Sequence, residues 1–498
     1  MSLINDYLKN RYVRLKIQQG KRTEIMNIDG HTQLIGLIGN PVGHTLSPVI
    51  HNGISEKVGK SFVYVPFQVE ADGLTEAVKG AYALNIQGLN VTVPHKNRVM
   101  ESLVEIDEAA KQIGAVNTLV RVEEKHGYKG YNTDMSGLRR QIREDGITLK
   151  NRVVVILGAG GAAKAVVYMC LLEGAERIYL LNRTLEKAEQ IAESMNRAVA
   201  ENGDGKEEKL SGVVIPMALD AYGEIREDNL IVFQATSIGL APNTECVVLD
   251  APAFYKKTAI GVDLIYNPAQ TRFMRLVTEY GGKAYNALKM LLYQGVIAYE
   301  LWSDMTVPQD VIEDIYVDLK RKVYPKDNIV LIGFMGSGKT TVGKELARQQ
   351  HMDFLDTDAY IEKRAGKSIS DIFAEDGEAA FRRIETEVLT DLRDNVKNTV
   401  LATGGGMPLK KENARLLKEI GSVCYLTAAP QVIYERVKGN SDRPLLRGEN
   451  PYEKICSLMS DRRPLYEEAA DAVIETNSDN LEEIIRSIEI CLKREEMI

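Results

Sequence analysis

The chain has 498 residues, 44% of them hydrophobic and 27% charged, with a formal net charge of −8. That length exceeds what one hydrophobic core serves, so two to four domains are expected. The acidic balance argues against a nucleic-acid binder, which needs a concentrated basic face, but leaves room for small anionic ligands held by a few cations and backbone N–H groups.

Cysteines 170, 246, 424, 456 and 491 are scattered and form no C-x-x-C pair. This points away from a disulfide framework or a structural zinc site and toward a reducing cytoplasm. The N-terminus lacks the apolar core of a secretory signal. The most apolar stretch, 153–172, contains Gly158, Gly160, Gly161 and Lys164, which suit a strand–turn–helix better than a membrane span. Neither a membrane nor a nucleic-acid partner is expected; a homo-oligomer is compatible with the sequence.

In chain order, residues 1–30 form an extension. Lys9, Arg11, Arg14, Lys16, Lys21 and Arg22 face only Asp6 up to residue 22, and Ile4, Leu8, Tyr12 and Leu15 recur at helical spacing. An amphipathic helix docked on the protein's own acidic surface is expected there, with membrane-surface binding as the weaker alternative. From residue 33 short apolar runs alternate with helical patterns: QLIGLIG, SFVYVPF, IQGLNVTV, then VVVILG, RIYLLN, LIVFQAT and AIGVDLI. Strands alternating with amphipathic helices predict an α/β fold with parallel sheets. Residues 31–150 form one α/β set, completed by helices at about 286–322, and 151–285 form a second. The polar stretch 201–212 reads as an exposed loop or hairpin. A helical pattern through VIEDIYVDLKRKV stops at Tyr324-Pro325, so 323–327 is a linker and 328–498 a third α/β unit.

GAGGAA (158–163) fits G-x-G-x-x-[GA] between an apolar strand and an apolar helix, the dinucleotide-binding arrangement. Gly158, Gly160, Gly161, Ala162 and Ala163 are its candidate cofactor contacts. The following strand ends at Asn182-Arg183-Thr184. A carboxylate at that position would accept from the ribose hydroxyl of NAD; the cation Arg183 suits the 2′-phosphate of NADP.

Eight motifs in order, GNPVGHTLSPVIHN (39–52), GLNVTVPHK (88–96), GAVNTL (114–119), GYNTD (130–134), GAGGAAKA (158–165), NRT (182–184), ATSIGL (235–240) and ALKMLLYQG (287–295), make the first 300 residues resemble shikimate dehydrogenase after residue 31. The resemblance implies a substrate domain followed by a Rossmann NADP domain, with Lys96 and Asp134 as the catalytic pair. It assigns Thr45, Ser47, Asn90, Thr92, Asn117, Tyr266 and Gln294 to the substrate, and Asn182, Arg183, Thr184, Thr236 and Met290 to the cofactor. An ammonium beside a carboxylate can polarise a ketone and deliver the proton that hydride transfer requires. Two departures stand out: Thr45 where the family commonly has serine, and Ala287 where it has glycine. His44, His51 and His95 lack a metal-ligand constellation and read as packing or hydrogen-bonding residues.

GFMGSGKT (333–340) satisfies G-x-x-x-x-G-K-[ST] after the strand IVLI. Such a loop holds nucleotide phosphates on backbone N–H groups, with Lys339 reaching the β/γ-phosphates and Thr340 ligating Mg²⁺. Gly333, Gly336, Ser337, Gly338, Lys339, Thr340 and Thr341 are therefore candidate ATP contacts. FLDTD (354–358), FRRIE (381–385), ATGGG (402–406), RPLL (443–446) and RRPLY (462–466) follow, and with the P-loop they make 328–490 resemble shikimate kinase. Asp356 and Asp358 are two apart and share a face if the strand continues. The resemblance gives Asp356 to the metal and Asp358 to the acceptor hydroxyl. It gives Arg382 and Arg462 to the acceptor carboxylate, and Gly404, Gly405 and Gly406 to the acceptor ring. Arg443, in a polar Gly/Pro-punctuated stretch, is expected to close as a lid over the transferring phosphoryl group.

Together the resemblances imply a bifunctional shikimate-pathway enzyme. NADPH-dependent reduction of 3-dehydroshikimate would be followed by phosphorylation of shikimate from ATP and Mg²⁺. Two alternatives stand beside it: one half is an inactive binding or scaffolding module, or the first half is an NAD-linked quinate/shikimate-type dehydrogenase.

Overall fold

A computed structural model of the chain describes residues 28–201, 210–325, 327–438, 450–478 and 480–495. The amphipathic helix expected within 1–30, most of the polar 201–212 stretch and the Arg443 loop therefore lie outside the described residues, apart from the ends of those segments. The chain divides into two compact units, Asn27–Leu319 and the residues from Lys320 onward.

In the first unit, β1 (Gln33–Gly39), β2 (Phe62–Gln68), β3 (Gly88–Val91), β4 (Glu105–Ile106), β5 (Thr118–Val122) and β6 (Gly127–Tyr131) form one sheet in the order β2-β1-β3-β5-β6-β4. It is mixed, where parallel sheets were expected, because β5 runs antiparallel to both β3 and β6. Only residues 123–126 separate β5 from β6, too short for a crossover, so the pair closes as a hairpin. Two helices of this sheet serve the site, α1 (Ser47–Val58) and α2 (Thr133–Glu144).

β7 (Val153–Leu157), β8 (Arg177–Asn182), β9 (Val213–Ala218), β10 (Leu230–Gln234), β11 (Thr258–Asp263) and β12 (Lys283–Asn286) form a second sheet. Its order is β12-β11-β10-β7-β8-β9, with every pair parallel. This is the doubly wound Rossmann order, which reverses beside β7. Val154 and Ile156 pack into one core, Val155 and Leu157 into another, which explains the unbroken apolar run VVVIL: both faces of the strand are covered. Helix α3 (Gly161–Leu172) follows β7, and α4 (Leu288–Ser303) follows β12.

The second unit has one parallel sheet of β13 (Ile329–Ile332), β14 (Asp353–Asp356), β15 (Thr399–Ala402), β16 (Ser422–Thr427) and β17 (Ala472–Glu475). The order is β14-β15-β13-β16-β17, so β13 is central. Its site is carried by α5 (Lys339–Gln350), α6 (Thr357–Ala365), α7 (Gly377–Asn395) and α8 (Pro451–Ala469). Among the described residues no helix is long and apolar enough to cross a membrane.

Candidate active sites

In the first unit the loop after β3 carries Lys96, and the first turn of α2 carries Asp134. Two bonds tie the loop to the segment that leads into β5: Val116 N–H donates to Lys96 O at 2.8 Å, and the Asn97 side-chain Nδ2 donates to Gly114 O at 2.6 Å. Asn132 caps α2 by accepting from Met135 N at 3.1 Å and donates to Ala115 O at 2.9 Å. Lys96 Nζ and Asp134 Oδ2 thereby lie 2.7 Å apart, each side chain about a quarter to a third exposed (31% and 24%).

Around this pair the remaining polar residues are held by one another. Thr45 Oγ1 donates to Ser47 Oγ at 3.2 Å. Asn117 Oδ1 accepts from Thr133 N–H at 2.6 Å and from Thr133 Oγ1 at 3.2 Å, leaving its amide NH₂ as the end for a ligand. Asn90 joins this network from both ends of its amide. Its Oδ1 lies 3.1 Å from His51 Nε2 and accepts from Tyr64 Oη at 2.8 Å, while Nδ2 donates to Asn117 O and Thr118 Oγ1. With both amide ends engaged by protein, Asn90 is the hub of this network. His51 is fully buried and stacks on Tyr64 with ring centroids 4.3 Å apart. Burial holds it at a pKa of about 3, although the Asn90 bond opposes that shift, so it stays neutral. Burial likewise pushes the Tyr64 phenol well above its ordinary value, while a bond to Ser47 pulls the other way. Gln294 Nε2 donates to Leu291 O at 2.9 Å. Met290 N–H donates to Gln141 Oε1 of α2 at 2.9 Å, which locks the start of α4 to the helix bearing Asp134. Thr92 is half-buried, its methyl where a Gly39 side chain would stand. Burial raises the Tyr266 phenol.

Gly158 sits at φ +112°, and a side chain there would strike Thr236 Cγ2 at 2.6 Å; only glycine takes both the backbone and the space. Gly160 and Gly161 face open space with nothing within 4 Å, a cradle at the N-terminus of α3 that fits a pyrophosphate. Ala162 is exposed and Ala163 buried. Arg183 and Thr184 are exposed just past β8. Asn182 Nδ2 donates to Thr184 O at 2.7 Å, shaping that corner.

In the second unit Gly336, Ser337, Gly338, Lys339, Thr340, Thr341, Asp356, Asp358, Arg382, Gly404, Gly405, Gly406 and Arg462 line one cleft of about 830 Å³. Gly333 begins the loop but does not line that cleft. Ser337 Oγ is buried without a partner, and Lys339 Nζ donates to the loop carbonyls of Gly333 and Phe334 at 2.9 and 3.0 Å. A buried hydroxyl without a hydrogen-bond partner, beside an ammonium held on the loop carbonyls, fits a phosphate ligand. Thr340 Oγ1 donates to Asp356 Oδ2 at 3.0 Å. Among the described residues no group of three or more His, Cys, Asp or Glu could hold a metal ion. A hydroxyl and one carboxylate are nevertheless the donors Mg²⁺ takes when phosphates and water complete its shell.

The strand does not continue to Asp358: β14 ends at Asp356, which becomes the N-cap of α6 and accepts from Asp358 N–H at 3.0 Å. Asp is among the best N-caps, and here that preference ends the strand. Asp358 therefore reaches the cleft from the first turn of a helix. A side chain at Gly404 would collide with the Asp358 carboxylate, and one at Gly406 with the Arg382 guanidinium. These glycines thus make room for the site's own charges. Arg463 pairs with Glu467 at 2.7 Å and is 63% exposed, whereas Arg462 lies over the Phe334 ring at 5.8 Å.

Family models for the shikimate dehydrogenase substrate-binding domain, for shikimate/quinate 5-dehydrogenase and for the shikimate 5′-dehydrogenase C-terminal domain match residues 37–119, 140–206 and 288–315. The shikimate kinase model matches residues 335–493. Shikimate dehydrogenase (NADP(+)) of Desulforamulus reducens is 41% identical over 58% of this chain and 96% of that protein. The chain belongs to the shikimate dehydrogenase family and carries a shikimate kinase domain at its C-terminal end. Two solved structures are similar to the dehydrogenase part. A chorismate mutase/shikimate 5-dehydrogenase fusion from Clostridium acetobutylicum has a TM-score of 0.52 and 34% identity, over 59% of this chain and 98% of that one. Shikimate 5-dehydrogenase from Listeria monocytogenes, in complex with shikimate and NAD, has a TM-score of 0.52 and 32% identity, over 58% and 98%.

Several contacts in both sites carried no sequence signal. Tyr64 sits in the apolar strand SFVYVPF and Thr118 near the end of GAVNTL, and only the fold brings them to Asn90. In the kinase domain Glu385 is buried, accepts from Arg382 Nη1 at 2.8 Å, and is raised in pKa chiefly by burial. Its position within FRRIE was visible; its contact with Arg382 required the helix.

Proposed function

We propose that the chain reduces 3-dehydroshikimate with NADPH and then phosphorylates the product, shikimate, from ATP. The observation that carries this is the presence, on one chain, of a Lys–carboxylate pair beside a dinucleotide loop and a carboxylate beside a P-loop. NADPH, when bound, supplies the hydride. Lys96 then places an ammonium where charge develops on the ketone oxygen and supplies its proton, while Asp134 at 2.7 Å fixes the ammonium's position. Thr45, Ser47 and the Asn117 NH₂ orient the acid's hydroxyl and carboxylate groups. Arg183, exposed at the end of β8, supports NADP over NAD, because a guanidinium matches a 2′-phosphate.

In the kinase domain Lys339, Ser337 and the loop N–H groups would bind the nucleotide's phosphates, and Thr340 with Asp356 would hold Mg²⁺. Mg²⁺, when bound, neutralises phosphate charge. Asp358 orients the acceptor hydroxyl, and Arg382 and Arg462 clamp its carboxylate. Arg443 completes the reading as the lid cation. Each half-reaction tests this separately on the purified full chain. Shikimate with NADP⁺ should yield NADPH absorbance, and shikimate with Mg-ATP should yield ADP. Absence of either would remove the corresponding half.

A further inference from the structure

Two strands of the Rossmann sheet end side by side with a polar pair at their tips. Gln234 is the last residue of β10, Asp263 the last of β11, and they are register partners. Asp263 is fully buried, and burial raises its carboxyl to about 6 against the bonds that lower it. A carboxylate in that position is tolerated only if its lone pairs are met. Oδ1 accepts from Ile265 N–H at 3.0 Å and from Gln234 Nε2 at 3.3 Å, and Oδ2 accepts from Thr271 Oγ1 at 2.6 Å.

Both partners pass the constraint outward. Gln234 Nε2 also donates to Ile238 O at 3.0 Å, and its Oε1 accepts from Thr236 N–H and Oγ1 at 2.8 and 2.5 Å. Thr271 accepts from Met274 N–H at 3.3 Å, capping the helix Arg272–Glu279. One carboxylate thus reaches two loops. Residues 235–240 carry Thr236, which abuts Gly158 of the dinucleotide loop. Residues 264–271 carry Tyr266. Ligands in open α/β sheets bind at these strand ends, and loops there are mobile unless tied down.

Resting on the dehydrogenase reading above, we propose that Asp263 is a positioning residue that holds the cofactor-side loop and the substrate-side loop in one register, so that the two reactants of the reduction bind as a set.

The test compares Asp263→Ala, Asp263→Asn and Thr258→Val in the full chain, measuring kcat and both KM values well below each variant's Tm. Thr258 begins the same strand, is buried, and donates to Phe254 O at 3.1 Å, touching neither loop. Asp263→Ala should raise the KM for NADPH and for 3-dehydroshikimate together by about tenfold, the scale of a lost buried hydrogen bond to a charged group. Asp263→Asn, which keeps an acceptor for Ile265 and Gln234, should restore both to within about threefold. Thr258→Val should lower Tm and leave both KM values unchanged. If Asp263→Ala does not accumulate, Gln234→Met cuts the bridge alone and carries the same expectation. A rise in only one KM, no rise in either, or an equal rise in Thr258→Val would overturn the proposal. Absence of turnover in the unmodified chain would instead overturn the dehydrogenase reading.

Discussion

Replacing His51 by Gln should change how the dehydrogenase part responds to acid. His51 is held at a pKa of about 3, mainly by burial, against 6.5 in an unfolded chain. The folded pKa lies below the unfolded one, so the unfolded chain takes up the proton first. Stability is full above pH 6.5 and is lost as pH falls toward 3, at about 1.4 kcal/mol per unit and about 5 kcal/mol in all. That rivals the whole stability of many domains. Gln keeps a donor for Asn90 and cannot charge, but forfeits the stack on Tyr64, about 1 to 1.5 kcal/mol. The two stability curves should therefore cross at about pH 5.5. Asp263, raised to about 6, has the opposite slope between its unfolded and folded values; it is present in both proteins and cancels in the difference. Trp302 is the chain's single tryptophan, with its ring 5.1 Å from that of His51, so urea titrations followed by its fluorescence report this unit. A difference between the two proteins that stays constant from about pH 7 to about pH 4 would refute the reasoning.

Arg183→Asp should lower kcat/KM for NADPH relative to NADH by about 10- to 100-fold, the loss of a charged hydrogen-bonding partner to the 2′-phosphate; an unchanged ratio would remove Arg183 from cofactor selection. Lys96→Ala should cut dehydrogenase kcat by about 10²–10⁴-fold while NADPH binding, followed by fluorescence, stays near the wild-type value. Gly404→Ala should displace Asp358, whose carboxylate occupies the space a side chain there needs, and lower kinase kcat about 100-fold with dehydrogenase activity intact.

Both glycine loops were legible because their spacing puts glycine where the turn takes positive φ, at Gly158 in the first and at Gly333, Gly336 and Gly338 in the second. The Rossmann and kinase sheets followed from strands too apolar to have a wet face, as in VVVIL and IVLI. The hairpin of β5 and β6 escaped notice because its turn, EEKH, lacks the glycine or proline that usually marks one. Whether the strand reached Asp358 was open in the sequence, because alternation would carry it past Asp356, whose capping of α6 is the stronger local preference. The buried hubs were invisible for a different reason. Asn90 and His51 are 39 residues apart, and Gln234 and Asp263 are 29 apart. They meet only because α1 packs over the first sheet and β10 neighbours β11. A polar residue at a strand end declares nothing until its neighbouring strand is known.

One incubation bears most directly on whether a single small acid is handled twice by this chain. The purified protein is given 3-dehydroshikimate, NADPH and Mg-ATP, and NADPH oxidation and shikimate 3-phosphate are followed together. Both should proceed in the unmodified chain. Lys96→Ala should halt both, and added shikimate should restore the phosphate ester alone. Lys339→Ala should halt only the ester and let shikimate accumulate. NADPH oxidation without the ester in the unmodified chain, or an ester that still forms in Lys96→Ala without added shikimate, would contradict the proposed sequence of reactions.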